Sequence, residues 1–370
     1  MSRLEELIQQ HCPDGVEYLS LSHICHSIKT GKLNANAMVE GGQYPFFTCS
    51  DKVFAIDRYS FDTEALLVAG NGYLGNVKYY KGKFDAYQRT YVLSDFAADV
   101  DIMYVYYAMQ NSFRDYALKN QKEGSVPYIT IGIFDSYCIP VPPLPVQEEI
   151  VRILDNFAEL QAELQAELQK RLQQYNYYRD NLLSFEGRTD IEWKKLGDVA
   201  SIKTGTKPDL IMTTKTDFEY INAGTTNSGY TNSANSDGDA ITTPSRGQGG
   251  IGFVGYQRNQ FWLGPLCYKI VSIENQLLTK YLYYYLVCHN DVILKLKNTG
   301  GVPALNRQDL IGIMIPIPPI KIQQHIISIL DRFDTLTNDL TAGLPAEIEA
   351  RRKQYEYYRD QLLTFKQKAS

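Results

Sequence analysis

The sequence predicts an α+β protein written twice: two mixed α/β globular domains separated by long helices that pair with one another, the whole a tandem pseudo-repeat. Three observations carry this. Blocks of sequence recur in the same order at a spacing of about 176 residues, the signature of an internal duplication. The globular stretches are short Val/Ile/Tyr/Phe runs punctuated by Gly, Asn and Asp, which is the pattern of strands and turns. Residues 147–185 contain neither Gly nor Pro and carry apolar side chains at steps of three and four, which is the pattern of one long amphipathic helix.

The duplication is read from four blocks. Gly124–Pro127 (GSVP) returns as Gly300–Pro303 (GGVP), and Ile139–Gln147 (IPVPPLPVQ) returns as Ile315–Gln323 (IPIPPIKIQ). Gln174–Phe185 (QYNYYRDNLLSF) returns as Gln354–Phe365 (QYEYYRDQLLTF), and SIKTG stands at both Ser27–Gly31 and Ser201–Gly205. The copies are therefore about Met1–Asp190 and Ile191–Ser370. The predicted domains are a globular part at 1–146, a long central helix at 147–190, a second globular part at 191–320, and a C-terminal helical arm at 321–370 that pairs with the central helix. The copies diverge most between Lys32 and Ala65, against Thr206 and Ala240. Matching helices imply one structural job done twice, and unlike globular parts imply two different targets.

Within a globular part, Ala65–Gly70 and Gly75–Phe84 are predicted as paired strands with Lys81-Gly82-Lys83 as a turn. Ile102–Leu118 and Leu278–Leu296 have helical spacing and length. The proline-rich blocks beyond them are expected to continue neither a sheet nor a helix, and to act as stiff lead-ins. The long helix then runs for roughly 39 residues, or about 58 Å, with a stripe through Ile150, Ile153, Phe157, Leu160, Leu164, Leu168, Leu172, Tyr175 and Tyr178. Such a stripe needs a partner, and the matching helix of the second copy is the obvious one. Phe157–Leu172 is a run of four-residue AELQ-type units; each adds about 6 Å and drifts about 40° from the helical period. The second copy has Gly343 and Pro345 at the corresponding place, which predicts a break near Leu344.

Composition excludes several classes. At 370 residues with a net charge of −5, the chain is neither a single domain of ordinary size nor a small basic nucleic-acid binder. Residues 1–190 are net acidic and 191–370 slightly basic, so non-specific grip on phosphates needs local basic loops or a basic partner. The six cysteines form no CxxC pair, which fits a reducing compartment. His23, Cys25 and His26 are close in sequence and are read as core-edge residues, with no metal expected. No signal core is evident near Glu5 and Glu6, and the longest apolar stretch, Leu310–Ile320, is about half a membrane span and carries three prolines. A cytoplasmic protein without membrane contact is expected. Gly70–Gly75 and Gly247–Gly252 both match GxGxxG, but a strand comes after each where a dinucleotide site needs a helix, so both are read as hairpin turns. There is no Walker A sequence and no methyltransferase motif, and His289 and His325 lie in predicted helices. No catalytic site is read.

The remaining candidates are polar, loop-borne and repeated. Lys29, Thr30 and Lys32 surround Gly31, as Lys203, Thr204, Thr206 and Lys207 surround Gly205, and such loops can approach a phosphate or a base edge. Asn71 and Tyr73 lie in the first glycine-rich turn; Ser245, Arg246 and Gln248 lie in the second. Gln88 and Arg89 come after the next strand of the first copy, where the second has Pro265 and Leu266. Arg and Gln pair bidentately with guanine and adenine. Lys122 and Ser125 form a turn answered by Lys297 and Asn298, and Asn222, Thr225, Thr226 and Asn227 open a long polar segment. These are the candidate DNA-binding residues.

Taken together, the order and duplication of these motifs resemble the specificity (S) subunit of type I restriction–modification enzymes. The likeness runs the length of the chain and rests on the two G-x-V-P … I-P-[VI]-P-P … Q blocks, the QY-x-YYRD-x-LL-[ST]-F helix ends and the AELQ units. It implies a non-catalytic subunit with two target recognition domains, each reading half of a bipartite, asymmetric DNA site, separated by an antiparallel coiled coil that sets the spacer. The implied partners are double-stranded DNA, two methyltransferase subunits carrying S-adenosylmethionine and methylating adenine, and two restriction subunits using ATP and Mg. No cofactor is expected in this chain. The helices are the implied dock, through Phe157, Leu160, Leu164, Leu168, Tyr175 and Tyr178 on the first arm and Phe333, Leu336, Tyr355 and Tyr358 on the second. The competing reading is a two-headed coiled-coil scaffold that binds proteins and not DNA.

Overall fold

The computed structural model of the chain describes residues 3–368 apart from 248, 274, 299–300 and 339–341. It divides into two compact units, Met1–Gln165 with Ile348–Ser370, and Ala166–Glu347. The first begins with α1 (Arg3–His11), β1 (Glu17–Ser20), the single turn α2 (Leu21–Ile24) and β2 (Cys25–Thr30). Next come β3 (Tyr44–Phe47), β4 (Phe54–Ile56), β5 (Phe61–Ala69), β6 (Val77–Ala86) and β7 (Thr90–Phe96). These strands form a six-stranded sheet in the order β2-β7-β5-β6-β3-β4, antiparallel except between β3 and β6. Helix α3 (Ile102–Lys119) packs on β5 and β6 through buried Tyr104, Val105, Ala108, Met109 and Phe113. The Asp101 carboxylate caps it, accepting the Met103 and Tyr104 N–H groups at 2.7 and 3.3 Å. Then come α4 (Ile133–Ser136), β8 (Cys138–Val141), paired with β1, and α5 (Leu144–Leu182), an unbroken 39-residue helix.

The second unit repeats this plan with β9 (Glu192–Lys195), α6 (Leu196–Val199), β10 (Ala200–Thr204), β11 (Phe218–Ile221), β12 (Tyr230–Thr231) and β13 (Ala240–Pro244). It continues through β14 (Gly255–Gln257), β15 (Trp262–Leu263) and β16 (Cys267–Ser272). Here the sheet is split: β10-β16-β13-β14 makes one part and β12-β11-β15 another. The continuous β6 of the first unit is thus represented by two short strands, β14 and β15, with Arg258–Phe261 interrupting them. Helices α7 (Thr279–Cys288), α8 (Asn290–Lys295) and α9 (Arg307–Ile311) precede β17 (Met314–Ile317), which pairs with β9, and then α10 (Ile320–Asn338). Helix α11 (Leu344–Leu362) is last, with Pro345 in its first turn; the second arm is therefore two 19-residue helices where the first is continuous.

Three expectations need correction. Lys81-Gly82-Lys83 is not a turn but lies inside β6, opposite Thr63 and its neighbours on β5, which starts earlier than its apolar run suggests. Gly82 takes φ 129° there, and Lys81 pairs with Glu64 at 3.2 Å, so exposed charge and glycine are accommodated within the strand. The proline-rich blocks do enter a sheet, since Pro140 lies in β8 opposite Tyr18 and Pro316 in β17 opposite Trp193. A two-stranded ribbon has unbonded edges, where the missing N–H of proline costs nothing. The helix predicted over Leu278–Leu296 is broken at His289, whose ψ of 34° leaves the helical region.

A set of polar contacts holds both copies in the same way. Gln147 is fully buried; its amide donates to Asp99 O (2.9 Å) and Pro142 O (2.7 Å) and its carbonyl accepts from Asp101 N (2.8 Å). Gln323, equally buried, donates to Gln276 O and Pro318 O (2.7 Å each) and accepts from Leu278 N (2.9 Å). The Tyr104 hydroxyl donates to Pro140 O and that of Tyr281 to Pro316 O; Tyr107 donates to Asp155 and Tyr284 to Asp331. Burial first, and then the carboxylate partner, push both of the latter phenols well above the ordinary tyrosine range. These bonds fasten the start of each long helix to the end of the strand and loop before it.

Each unit is closed by the far end of the other copy's arm. In the first, Leu363 is buried with Val146, Ile150 and Leu154, and the Phe157 ring lies 5.7 Å from Tyr358 and 6.2 Å from Tyr355. In the second, Tyr175, Leu183 and Phe185 are buried with Ile326 and Leu330, and Phe333 lies 5.6 Å from Tyr178 and 6.2 Å from Tyr175. Full burial of one such side chain stabilises by about 1.5–3 kcal/mol. Replacing Gln147 or Gln323 with Leu leaves three backbone groups without partners, each a loss of roughly 1–3 kcal/mol. Each variant should therefore lose at least about 2 kcal/mol in urea unfolding, and an unchanged midpoint would show that the clamps do not fasten the helix starts.

Candidate nucleic-acid interface

The glycine of each SIKTG block is fixed by contact. A Cβ on Gly31 would stand 1.8 Å from Ala86 O, and one on Gly205 1.8 Å from Leu263 O. Only glycine lets the ends of β2 and β10 pass this close to the neighbouring chain. In the first unit this leaves Lys29, Thr30 and Lys32 exposed beside the β6–β7 turn, where Gln88 N donates to Leu33 O at 2.9 Å. The turn from β5 to β6 is the glycine-rich hairpin of Asn71 and Tyr73, as expected. Gly70 N donates to Arg89 O (2.8 Å), and Asn71 bridges to Tyr128, which in turn pairs with Lys122. Ser125 is exposed in the loop between them. All nine candidates of this unit therefore gather around the loops at one end of the sheet.

Three residues in the same place escaped the sequence reading. Tyr128 carries the Arg89 guanidinium over its ring at 5.4 Å, Arg114 lies over Tyr73 at 4.4 Å, and Lys78 donates to Ser50 O at 2.6 Å. A signal for Tyr128 existed, because it aligns with Ala304 in the second copy. Arg114 projects from a helix read only for its apolar face.

In the second unit Lys203, Thr204 and Thr206 line a cavity of about 550 Å3 with Ser236 and Lys269, the last of these not foreseen. Lys203 and Lys269 are directly opposite on β10 and β16. Like charges so placed repel, and an anion between them would relieve this. The Lys269 amine meanwhile donates to Ser236 Oγ and Asp237 O, both at 3.3 Å. Lys207 is exposed just beyond. Ser245 and Arg246 begin the second glycine-rich hairpin, between β13 and β14; Arg246 and Asn298 both bridge to Ala304, after half-buried Lys297. Gln248 lies outside the described residues. Asn222 is structural: its carbonyl accepts from Leu266 N at 2.9 Å and holds the β15–β16 turn. Thr225, Thr226 and Asn227 line a separate cavity of about 290 Å3, and Asn227 donates to Glu219, a carboxylate that disfavours phosphate there.

The residues assigned to partner docking divide in two. Phe157, Phe333, Tyr175, Tyr178, Tyr355 and Tyr358 make the ring contacts between helices described above. Buried Tyr175 therefore has no face to offer another protein, because an apolar stripe shows that a helix needs a partner without showing which one. Leu160, Leu164 and Leu168 are half-buried and Leu336 is exposed. Sequence reasoning missed Tyr177 and Tyr357, which are 65% and 62% exposed. Each packs on the next tyrosine with the same geometry, centroids 5.5 Å apart at 75°.

Among the described residues, no group of three or more His, Cys, Asp or Glu side chains could hold a metal ion, and no helix is long and apolar enough to cross a membrane. Cys25 is buried in the core while His23 and His26 are not, and burial pushes the Cys25 thiol up to about 11 and that of Cys267 up to about 12.

Comparison with known proteins fits this doubled plan. The model of the type I restriction modification DNA specificity domain matches twice, at residues 13–174 and 189–350. The chain belongs to the type I restriction–modification specificity subunit family. A specificity subunit of an Escherichia coli type I restriction enzyme is 36% identical over 293 residues, 71% of each chain. A Haemophilus influenzae protein described as a putative type I restriction enzyme specificity subunit is 28% identical over 95% of this chain and 96% of its own. The crystal structure of the S subunit from M. genitalium shares the fold with a TM-score of 0.67 at 18% identity, covering 94% of this chain and 95% of that one. In this specificity subunit each matched segment takes in a globular part and much of the arm after it, most of α5 in the first and all of α10 in the second, so the family's repeat includes both duplicated clamps.

Proposed function

We propose that this chain is the DNA-reading subunit of a type I restriction–modification complex, in which each unit reads one half of a bipartite, asymmetric site. The observation that carries this is the duplicated frame with unlike polar loops at the same end of each sheet. A frame kept constant supplies register, and register is what allows base contacts to specify a sequence. The chain contributes recognition and positioning. Adenine methylation with S-adenosylmethionine, and DNA cleavage with ATP and Mg, belong to partner subunits.

Two methyltransferase subunits are supported by a surface present twice. The Tyr177–Tyr178 and Tyr357–Tyr358 pairs are exposed, alike in ring geometry, and flanked by the same Arg–Asp contacts, Arg179 on Asp180 and Arg359 on Asp360. Exposed tyrosines of this kind are frequent anchors in protein interfaces. Two restriction subunits complete the proposed complex. The acidic balance of the chain fits a division of labour in which partners provide much of the phosphate grip.

Co-expression with a cognate methyltransferase subunit, and then genome-wide mapping of methylated adenine, should yield a split motif with two short, unlike halves. An active partner that methylates without any split motif would favour the protein-binding scaffold. Deleting Gln161–Leu164, one AELQ-type unit of about 6 Å, should shorten the spacer by about one or two base pairs and leave both halves unchanged. A changed half-site would count against the helix as ruler. Tyr177→Ser and Tyr357→Ser should each remove one of two bound methyltransferase subunits in native mass spectrometry, with stability kept within about 0.5 kcal/mol. Retention of both copies in the double variant would place the dock elsewhere.

A further inference from the structure

The two recognition ends share one backbone platform, although their side chains do not match. Gly70 N donates to Arg89 O at 2.8 Å, and Ser245 N to Leu266 O at 2.9 Å. Ile129 N donates to Gly70 O, and Leu305 N to Ser245 O, both at 2.9 Å. Lys122 and Tyr128 exchange two backbone hydrogen bonds, as do Asn298 and Ala304. Asn71 bridges to Tyr128 and Arg246 to Ala304. The Tyr91 hydroxyl pins Ile129 O from below at 3.0 Å, and that of Tyr268 pins Leu305 O at 3.0 Å. The hairpin, the turn and the loop after the helix are thus tied at equivalent points in both units.

On this platform four positions change together. The hairpin position holds Asn71 in one unit and Arg246 in the other; the turn position holds Arg89 or Leu266; the loop positions hold Lys122 or Asn298 and Tyr128 or Ala304. A phosphate clamp would keep its cation in one place, because every phosphate is alike. Here the guanidinium moves from the turn to the hairpin. Moreover, Arg89 and Tyr128 are present together in one unit and replaced together by Leu266 and Ala304 in the other. An arginine stacked on an aromatic ring keeps its planar fork in a fixed orientation with its donor edge free. Arg89 is exposed, lies over Tyr128 at 5.4 Å, and makes no salt bridge among the described residues.

We infer that these four positions are the base-reading positions of each unit, and that Arg89, positioned by Tyr128, reads a guanine in the half-site of the first unit. The acceptor pair that fits a planar fork is O6 and N7 of guanine in the major groove. Arg89 is the contacting residue and Tyr128 the positioning residue. The inference rests on the DNA-reading role proposed above.

The test uses the complete complex with its methyltransferase subunit and reads methylated motifs genome-wide for Arg89→Ala, Arg89→Lys, Tyr128→Ala and Tyr128→Phe. Arg89→Ala should relax a single G·C position in one half-site, with discrimination there falling roughly ten- to a hundredfold. Arg89→Lys should restore it only in part, because an ammonium lacks the fork. Tyr128→Ala should relax the same position less, and Tyr128→Phe should keep it. The half-site of the second unit, unchanged in every variant, reports that the complex is folded. An unaltered motif overturns the inference. So does a uniform loss across all sites with the salt slope reduced by about 1, the mark of a phosphate contact. A wild-type complex with no split motif would instead defeat the DNA-reading role itself.

Discussion

The interaction on which the rest depends is the exchange of helix ends between the copies. Helices α5 and α10 each begin in the core of their own globular part, fastened by Gln147 or Gln323, but their apolar stripes are covered by the end of the other copy's arm. Leu183 and Phe185, encoded by the first copy, are core residues of the second unit; Leu363, encoded by the second, is a core residue of the first. Neither copy contains all of its own core. Each core therefore requires the other copy's helix end to be complete, and the copies are not two self-contained domains in series. The strong likeness of QYNYYRDNLLSF and QYEYYRDQLLTF has the same cause, since both ends must fit equivalent grooves.

That requirement explains where variation is permitted. The clamps, the hydroxyls of Tyr104, Tyr107, Tyr281 and Tyr284 and the ring contacts lie around the long helices and the proline-bearing ribbons. The opposite end of each sheet is held mainly by backbone hydrogen bonds, with few demands on side-chain identity: the glycines at 31 and 205, the Tyr91 and Tyr268 hydroxyls, and Asn222. Side-chain chemistry is thus committed mainly to stability around the helix starts and is less constrained at the other end of each sheet.

Much of this was legible in the sequence. The repeat, the long unbroken helix, the break before Leu344 and both glycine-rich hairpins come from spacing and from the backbone needs of Gly and Pro. The helix runs Leu144–Leu182 where the spacing predicts 147–185, because Pro145 is tolerated in a first turn. The missing parts have physical causes. Lys81–Lys83 looks like a turn because local composition cannot show that β5 starts at Phe61 and calls for a longer partner. Pro140 and Pro316 look like sheet breakers because the rule describes central strands, and these are ribbon edges. Which stripe pairs with which is invisible when the two are nearly identical. Among the candidate loop residues, Asn222 holds the β15–β16 turn, while Lys269 and Tyr128 stand out only through their cross-strand and stacking neighbours, which composition does not show.

The glycines at the ends of β2 and β10 have one more consequence. Each sits against a carbonyl with no room for a methyl group, so the chain is gripped at that point whichever residues come after it. The most divergent segments of the two copies begin at the next residue, Lys32 in one and Thr206 in the other. Gly31 and Gly205 therefore mark the points at which shared backbone geometry gives way to divergent sequence. Downstream the strand pattern differs, β14 and β15 standing where β6 is continuous, while the strand before each glycine keeps the same edge place in its sheet, β2 beside β7 and β10 beside β16.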